Sequence, residues 1–122
     1  MTINDIKNLL NATVIAGNTS LSQDVHTACG SDSLGDTMAY IKEKAVFLTG
    51  ITEPQVVRTA EMMDIVCIVF VRGKQPDEAT IKLAEELEII LLGTNYRMYE
   101  ACGILYSNGL GRVDEEENKA EN

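Results

Sequence analysis

Ile65-Val66-Cys67-Ile68-Val69-Phe70-Val71, followed by Arg72-Gly73-Lys74-Gln75-Pro76-Asp77, is the stretch that decides the fold. Seven consecutive apolar residues rich in β-branched types are too few for a buried helix and predict a strand covered on both faces. Strands of this kind are typical of parallel sheets. Because a parallel neighbour cannot follow directly, we expect residues 77–88 to form a crossover helix that leads to a second strand at 89–92.

Similar elements occur throughout the rest of the chain. The apolar spacing predicts helices over residues 3–10, 31–41, 52–63 and 96–107, and further strands at 13–16, 25–29 and 46–49. Strands that alternate with helices are typical of an α/β fold. The sequence therefore predicts a three-layer α/β/α domain with a mostly parallel sheet of about four to six strands, built from successive βα units.

Length and charge limit the class of protein. A chain of 122 residues with 45% hydrophobic content predicts one domain, over residues 1–110, and an acidic, disordered tail at 111–122. The formal net charge of −9 argues against a nucleic-acid partner. No apolar run approaches the roughly 20 residues of a membrane span and nothing resembles a secretory signal, so we expect a cytoplasmic protein without a membrane partner.

Residues that usually carry catalysis or hold a cofactor are sparse. The three cysteines, Cys29, Cys67 and Cys102, are too far apart for a zinc motif and too few for a disulfide framework, so we expect reduced packing residues. His26 has no Cys or His nearby in the sequence. Neither a phosphate loop nor a dinucleotide-binding glycine motif is present. We therefore expect a non-catalytic protein without a cofactor.

Glycines follow four of the predicted strands. Gly30, Gly50, Gly73 and Gly93 are separated by 20, 23 and 20 residues, which is about the length of one βα unit. In a parallel sheet all four would lie at the carboxyl edge, where open α/β sheets bind ligands. The alternative is that they serve only as tight turns.

Polar and cationic residues beside these glycines form a candidate anion site. Arg72 would stand at the exit of the buried strand, where a guanidinium can bind a phosphate or carboxylate. The residues of this predicted site are Asp32, Ser33, Thr49, Gly50, Arg72, Gly73 and Thr94. Asp32 and Asp36, with Ser33 beside them, offer a second interpretation, a divalent-metal site in an enzyme. The same acidic residues are also typical of a helix start.

The last predicted helix is apolar around well over half of its circumference. A helix of this kind must bury more than one face. It therefore contacts either a second subunit, which predicts a homodimer, or more of its own chain. The apolar residues are Met98, Tyr99, Ala101, Cys102, Ile104, Leu105 and Tyr106.

Several segments resemble the DRTGG-domain family over roughly residues 3–110. They are Ser31-Asp32-Ser33-Leu34-Gly35-Asp36-Thr37-Met38, the run from Ile68 to Asp77, Ile89-Ile90-Leu91-Leu92, and Tyr99-Glu100-Ala101-Cys102-Gly103-Ile104-Leu105. The resemblance implies a regulatory α/β module that dimerises, is found alone or attached to CBS-domain pairs, and is similar in fold to the N-terminal domain of HPr kinase/phosphorylase. Compared with the residues that name the family, this sequence departs at Gly50-Ile51-Thr52-Glu53 and at Val71-Arg72-Gly73-Lys74.

These observations favour a non-catalytic, homodimeric regulatory or sensory domain. We expect it to bind a small anionic ligand, a nucleotide or a phosphorylated metabolite, at the carboxyl edge and to serve a partner enzyme. One alternative is a divalent-metal-dependent enzyme that uses Asp32, Ser33 and Asp36. Another is a protein interaction module without a pocket.

Overall fold

A five-stranded sheet is the centre of the computed structural model, which describes residues 1–17, 20–35 and 43–111. The strands are β1 (Thr13–Ala16), β2 (Thr27–Gly30), β3 (Ala45–Thr49), β4 (Ile65–Phe70) and β5 (Ile90–Gly93). Their order across the sheet is β1-β5-β4-β3-β2. Strands β2 to β5 run parallel, and β1 pairs antiparallel with β5.

Helices cover both faces of the sheet. They are α1 (Ile3–Leu9), α2 (Gln55–Met62), α3 (Glu78–Glu86) and α4 (Met98–Ser107). Helices α1 and α4 contribute to one apolar core, and α2 and α3 contribute to the other. The predicted three-layer α/β/α fold with a mostly parallel sheet is confirmed.

The two central strands show why the apolar run at residues 65–71 is continuous. Successive strand side chains point to opposite faces. Cys67 and Val69 therefore lie in the core under α1 and α4, whereas Ile68 and Phe70 lie in the core under α2 and α3. Burial raises the pKa of the Cys67 thiol well above its usual range, so this cysteine is a protonated packing residue.

The helix ends follow one pattern. Thr2 and Asp5 form a capping box at the start of α1, and the hydrogen bond from the Thr2 backbone N–H lowers the pKa of Asp5. At the C-terminal ends of α1, α2, α3 and α4, the residue after the C-cap has a left-handed backbone. These residues are Asn11, Asp64, Glu88 and Gly109.

Most boundaries differ from the sequence prediction by one or two residues, and α2 begins three residues later than predicted, at Gln55 rather than at residue 52. β2 begins at Thr27 rather than at residue 25, where the Val25 N–H donates to the carbonyl of Met1 and not to β3. α4 begins at Met98 rather than at residue 96, because the Tyr96 N–H donates to Thr94 Oγ1 in the preceding turn. At the start of β2 and at the start of α4, the boundary reflects a hydrogen bond to another segment or to the preceding turn. The local apolar pattern does not show such bonds.

Part of the prediction falls outside the described residues. Residues 34–35 are helical, but Asp36, Met38 and Ile41 of the predicted helix are not described, and neither is the acidic segment 112–122. Within the described ranges, no helix has the length and apolar character needed to cross a membrane.

Candidate functional site

The carboxyl ends of β2, β3, β4 and β5 meet at one edge of the sheet. The parallel pairing sets Gly30 beside Leu48, Thr49 beside Phe70, and Phe70 beside Gly93. The turns that follow these strands therefore share an edge, as the glycine spacing predicts. Residues from three of these turns meet in space.

Asp32 contacts residues of two neighbouring turns at this edge. One oxygen of its carboxylate, Oδ1, accepts a hydrogen bond of 2.7 Å from the Gly50 backbone N–H and lies 3.5 Å from Thr49 Oγ1. The other oxygen, Oδ2, lies 3.8 Å from Arg72 Nη2. The carboxylate thus joins the turn after β2 to the turns after β3 and β4.

Arg72 reaches this carboxylate from an uncommon backbone conformation. Its φ angle is 59° and that of Gly73 is 68°, so two successive residues occupy the left-handed region. The Arg72 N–H donates to the Tyr96 carbonyl at 2.8 Å, and the Gly73 N–H donates to the Thr94 carbonyl at 2.9 Å. These two bonds fix the turn after β4 against the turn after β5.

Gly50 leaves the space that the guanidinium occupies. A Cβ atom at this position would overlap Arg72 Nη2 and would stand 3.2 Å from Asp32 Oδ1. The φ angle of Gly50 lies outside the left-handed region, so the close approach, and not the backbone, requires glycine here. The Arg72 and Asp32 side chains are 47% and 54% exposed, and the pair is accessible to a solute.

The two threonines of the predicted site are buried. The Thr49 hydroxyl donates to Asp32 Oδ1 at 3.5 Å and accepts from the Ile51 N–H at 3.1 Å. Thr94 is 3% exposed, and its hydroxyl donates to the Leu10 carbonyl at 2.8 Å and accepts from the Tyr96 N–H at 3.2 Å. Thr49 therefore helps to hold Asp32, and Thr94 holds the turn after β5.

Ser33 directly follows Asp32 in the sequence. The Ser33 N–H donates to Ser31 Oγ at 2.9 Å, and Ser31 Oγ in turn donates to the Ser33 carbonyl at 3.1 Å. This small ring of bonds orients the intervening Asp32. Asp36, which the metal hypothesis requires, is outside the described residues, and among those described no group of three or more His, Cys, Asp or Glu could hold a metal ion.

A separate groove runs along α4. Its volume is about 950 Å³, and none of the seven predicted site residues lines it. The lining residues are Ala28, Gly30, Leu48, Tyr96, Tyr99, Glu100, Cys102, Gly103, Ile104, Leu105, Tyr106, Ser107, Asn108, Leu110 and Gly111. The sequence did not predict this groove. Its one signal was the wide apolar surface of the last helix.

Electrostatically, the groove differs from the edge of the sheet. Among the described residues, Glu100 is its one charged lining residue, and no lysine or arginine of residues 1–17, 20–35 and 43–111 lines it. Burial, and secondarily the neighbouring Cys29, raise the pKa of the Cys102 thiol, which is therefore protonated and uncharged near neutral pH. The edge carries the cation and the groove carries apolar surface.

Comparisons with known proteins give a family and a structural neighbour. The model of the DRTGG domain matches residues 5–107. A search of curated protein sequences gives no significant match. Among solved structures, the chain is similar to the CBS and DRTGG domains of the regulatory region of Clostridium perfringens pyrophosphatase, a structure complexed with the activator diadenosine tetraphosphate.

That similarity is one of fold. The TM-score is 0.72 at 14% sequence identity, over 85% of this chain. The chain spans 45% of the length of that neighbour. The expected likeness to the N-terminal domain of HPr kinase/phosphorylase stays a prediction.

Proposed function

Because the chain belongs to the DRTGG domain family, we propose that it is a non-catalytic regulatory domain that binds a small anionic ligand at the carboxyl edge of its sheet. The ligand class is a nucleotide or another phosphorylated metabolite. In this proposal Arg72 is the residue that contacts the anion, Gly50 leaves the space for its guanidinium, and Asp32 holds that guanidinium until the anion replaces it.

The single observation that carries the proposal is the geometry of Arg72. A left-handed backbone holds the residue in the turn after β4, and its half-exposed guanidinium crosses Gly50 to reach Asp32. Left-handed non-glycine residues are strained, and strain of this kind concentrates at functional sites. A guanidinium matches phosphate and carboxylate groups through paired hydrogen bonds.

Backbone N–H groups at this edge are largely engaged within the chain. Those of Gly50, Arg72 and Gly73 donate to Asp32, Tyr96 and Thr94 respectively. A phosphate would therefore bind to side-chain cations rather than to a backbone cradle. Lys74, exposed two residues beyond Arg72, supplies a second positive charge in the same turn.

Asp32 balances the charge of Arg72 in the unliganded site. Its carboxylate lies 3.8 Å from Arg72 Nη2, longer than a short charge-assisted hydrogen bond, and the pair is about half exposed. A bound phosphate would take the guanidinium from Asp32, which would keep its bond to the Gly50 N–H. The exchange replaces one anion by another and needs no rearrangement of the sheet.

The structural neighbour supports the ligand class. Its activator, diadenosine tetraphosphate, is a nucleotide with several phosphates. By analogy, this chain would act in the cytoplasm as a homodimer. Its role would be to regulate a partner enzyme.

Isothermal titration calorimetry against a panel of nucleotides and phosphorylated metabolites tests the proposal. At least one compound is expected to bind the wild-type protein, and Arg72→Ala is expected to weaken that binding at least tenfold. Lys44→Ala is the matched control, since Lys44 is also basic, exposed and left-handed, at φ 52°, but precedes β3 at the opposite edge. Absence of binding by any compound, or equal loss in both variants, would contradict the proposed site.

A further inference from the structure

The groove along α4 opens at the same edge of the sheet as the anion site. Gly30 ends β2, and Leu48 is the last residue but one of β3. Each stands two residues before a member of the anion site, Asp32 and Gly50, so the two Cα atoms of each pair lie within about 7 Å. The groove therefore begins beside the anion site. The lining residues at this end, called the mouth, are Gly30, Leu48, Tyr96, Tyr99 and Glu100.

Arg72 is joined to the mouth by a backbone bond. Its N–H donates to the Tyr96 carbonyl at 2.8 Å, and its guanidinium takes the space that a Cβ at Gly50 would need. One hydrogen bond thus separates the backbone of the cationic residue from a residue that lines the groove. A single small ligand can therefore place an anionic group at Arg72 and a second group in the mouth.

Two aromatic rings stand at the mouth. Tyr96 belongs to the turn before α4 and is 37% exposed, and Tyr99 belongs to the first turn of α4 and is 89% exposed. Exposed aromatic rings are platforms on which nucleic-acid bases stack, because every base has a flat π-face. The mouth therefore favours a ligand group that is planar and aromatic.

Glu100 restricts the polar character of that group. One oxygen of its carboxylate, Oε1, accepts from the Arg97 N–H at 3.3 Å. Among the described residues no donor lies within hydrogen-bond distance of the other oxygen, Oε2. A carboxylate accepts hydrogen bonds and repels a second anion. The amino groups of adenine and guanine are donors of the kind that it can accept from.

The space in the groove is sufficient for such a group. Its volume of about 950 Å³ lies within the range of about 300 to 1,000 Å³ that is usual for small-molecule sites. Gly103, four residues after Tyr99, also lines it, and a Cβ added there would meet nothing within 4 Å. Glycine in a helix interior is less stable than alanine. Open space for a ligand is a physical reason for a glycine at this position.

We propose that the mouth of the α4 groove binds the base of a purine nucleotide whose phosphate binds Arg72. The base carries an amino group, as adenine and guanine do. It stacks on Tyr96 and Tyr99, and its amino group donates to Glu100. The inference rests on the proposed function, since it takes Arg72 as the phosphate contact, and it narrows the ligand from any phosphorylated metabolite to an aminopurine nucleotide.

Calorimetric titration with four related phosphates tests the base site. AMP or GMP is expected to bind at least about tenfold more tightly than ribose 5-phosphate, which has the same sugar and phosphate but no base. IMP, a purine nucleotide without the amino group, should bind about threefold to tenfold more weakly than the tighter of the two. Equal affinity for ribose 5-phosphate would overturn the base site and leave the phosphate site standing. Equal affinity for IMP would overturn the contact with Glu100.

Tyr99→Leu tests the position of the base. The variant should bind the preferred nucleotide about tenfold more weakly and ribose 5-phosphate as wild type does, because it loses only the stacking ring. Tyr106→Leu is the matched control, since Tyr106 lines the same groove seven residues further on, about 10 Å along α4. It should bind the nucleotide like wild type, and equal losses in both variants would overturn the proposed mouth. Melting temperatures show that each variant is folded.

Arg72→Ala separates the two proposals. It should weaken the binding of both the nucleotide and ribose 5-phosphate. A loss in Arg72→Ala with none in Tyr99→Leu would overturn the base site alone. A loss in Tyr99→Leu with none in Arg72→Ala would contradict the proposed phosphate contact and leave the base contact standing.

Gly103→Leu tests the space in the groove. The new side chain should weaken nucleotide binding by occupying that space. The melting temperature should be unchanged or raised, because a Cβ at this position meets nothing within 4 Å and leucine favours a helix more than glycine does. Wild-type affinity in this variant would place the base outside the groove.

Discussion

Arg72 lies so close over Gly50 that a methyl group at position 50 would overlap its guanidinium. The overlap involves the end of a flexible side chain, and the φ angle of Gly50 lies outside the left-handed region that disfavours alanine. A substitution at this position should therefore disturb the site and spare the fold.

For Gly50→Ala we expect the free energy of unfolding to change by less than about 1 kcal/mol, since the guanidinium can move into solvent. The affinity for the anionic ligand should fall about tenfold, because Arg72 loses its position. Urea denaturation and calorimetry measure the two effects. The double variant with Arg72→Ala should bind no more weakly than Arg72→Ala alone, and additive losses would show that Gly50 acts through another residue.

Asp32→Asn should strengthen anion binding. Asparagine keeps an acceptor for the Gly50 N–H and removes the charge that competes for Arg72. Exposed ion pairs contribute roughly 0 to 1 kcal/mol, so the expected gain is at most about fivefold. The gain should shrink as salt is added, because screening weakens the competing pair. Weaker binding by Asp32→Asn at every salt concentration would assign Asp32 a direct role in holding the ligand.

Thr94→Val should destabilise the protein by about 1 to 3 kcal/mol. The substitution removes the hydroxyl that donates to the Leu10 carbonyl in a buried position and leaves that carbonyl without this donor. Thr94→Ser keeps the hydroxyl and serves as the control in urea denaturation. If Thr94→Val lowered ligand affinity at unchanged stability, the residue would belong to the binding site after all.

Glu88→Gly should stabilise the protein by about 0.5 to 1 kcal/mol. Glu88 follows the C-cap of α3 with a φ angle of 59°, a conformation that glycine adopts without strain. Glu85→Gly, one turn earlier and inside the helix, should cost about 1 kcal/mol. The expected result is that Glu88→Gly raises the free energy of unfolding and Glu85→Gly lowers it. Changes of the same sign in both variants would contradict the left-handed conformation of Glu88.

Alkaline pH should destabilise the protein partly through Cys67. Burial raises its pKa in the folded state, whereas the thiol of the unfolded chain ionises near pH 8.5. Below that pH both states hold the proton. Above it the unfolded state holds fewer protons, so the free energy of unfolding falls by up to about 1.4 kcal/mol per pH unit.

Urea denaturation of wild type and Cys67→Ala between about pH 7 and pH 10 isolates this contribution. The difference between the two proteins should be constant at the lower pH values and should narrow as the pH rises above about 8.5. A difference that stays constant throughout would mean that the folded protein releases the Cys67 proton as readily as the unfolded chain.

The sequence predicted the sheet because the signal for it is local. The apolar run at residues 65–71 could be read as a strand covered on both faces, and parallel pairing then required the turns after Gly30, Thr49, Phe70 and Gly93 to share an edge. Proximity of Asp32, Gly50 and Arg72 followed from that topology. The direction of each side chain did not, which is why the burial of Thr49 and Thr94 and the partners of their hydroxyls appeared only in the structure.

Other features had no local signal. The left-handed conformation of Arg72 arises from hydrogen bonds between the turn after β4 and the turn after β5, and arginine itself does not favour it. The groove exists because β2 ends the sheet beside α4, which depends on strand order. Apolar width predicted that α4 had more than one contact face, but only the structure showed that Tyr99 is its most exposed apolar side chain among the described residues.

The 2.8 Å bond from the Arg72 N–H to the Tyr96 carbonyl connects the anion edge to a residue that lines the α4 groove. An anion that moved the turn holding Arg72 would therefore also change the binding of any partner in the groove. Thermodynamic linkage would make that effect reciprocal, since the factor by which the anion changes the partner's affinity equals the factor by which the partner changes the anion's affinity. Occupancy of one site would then depend on the concentration of the ligand at the other.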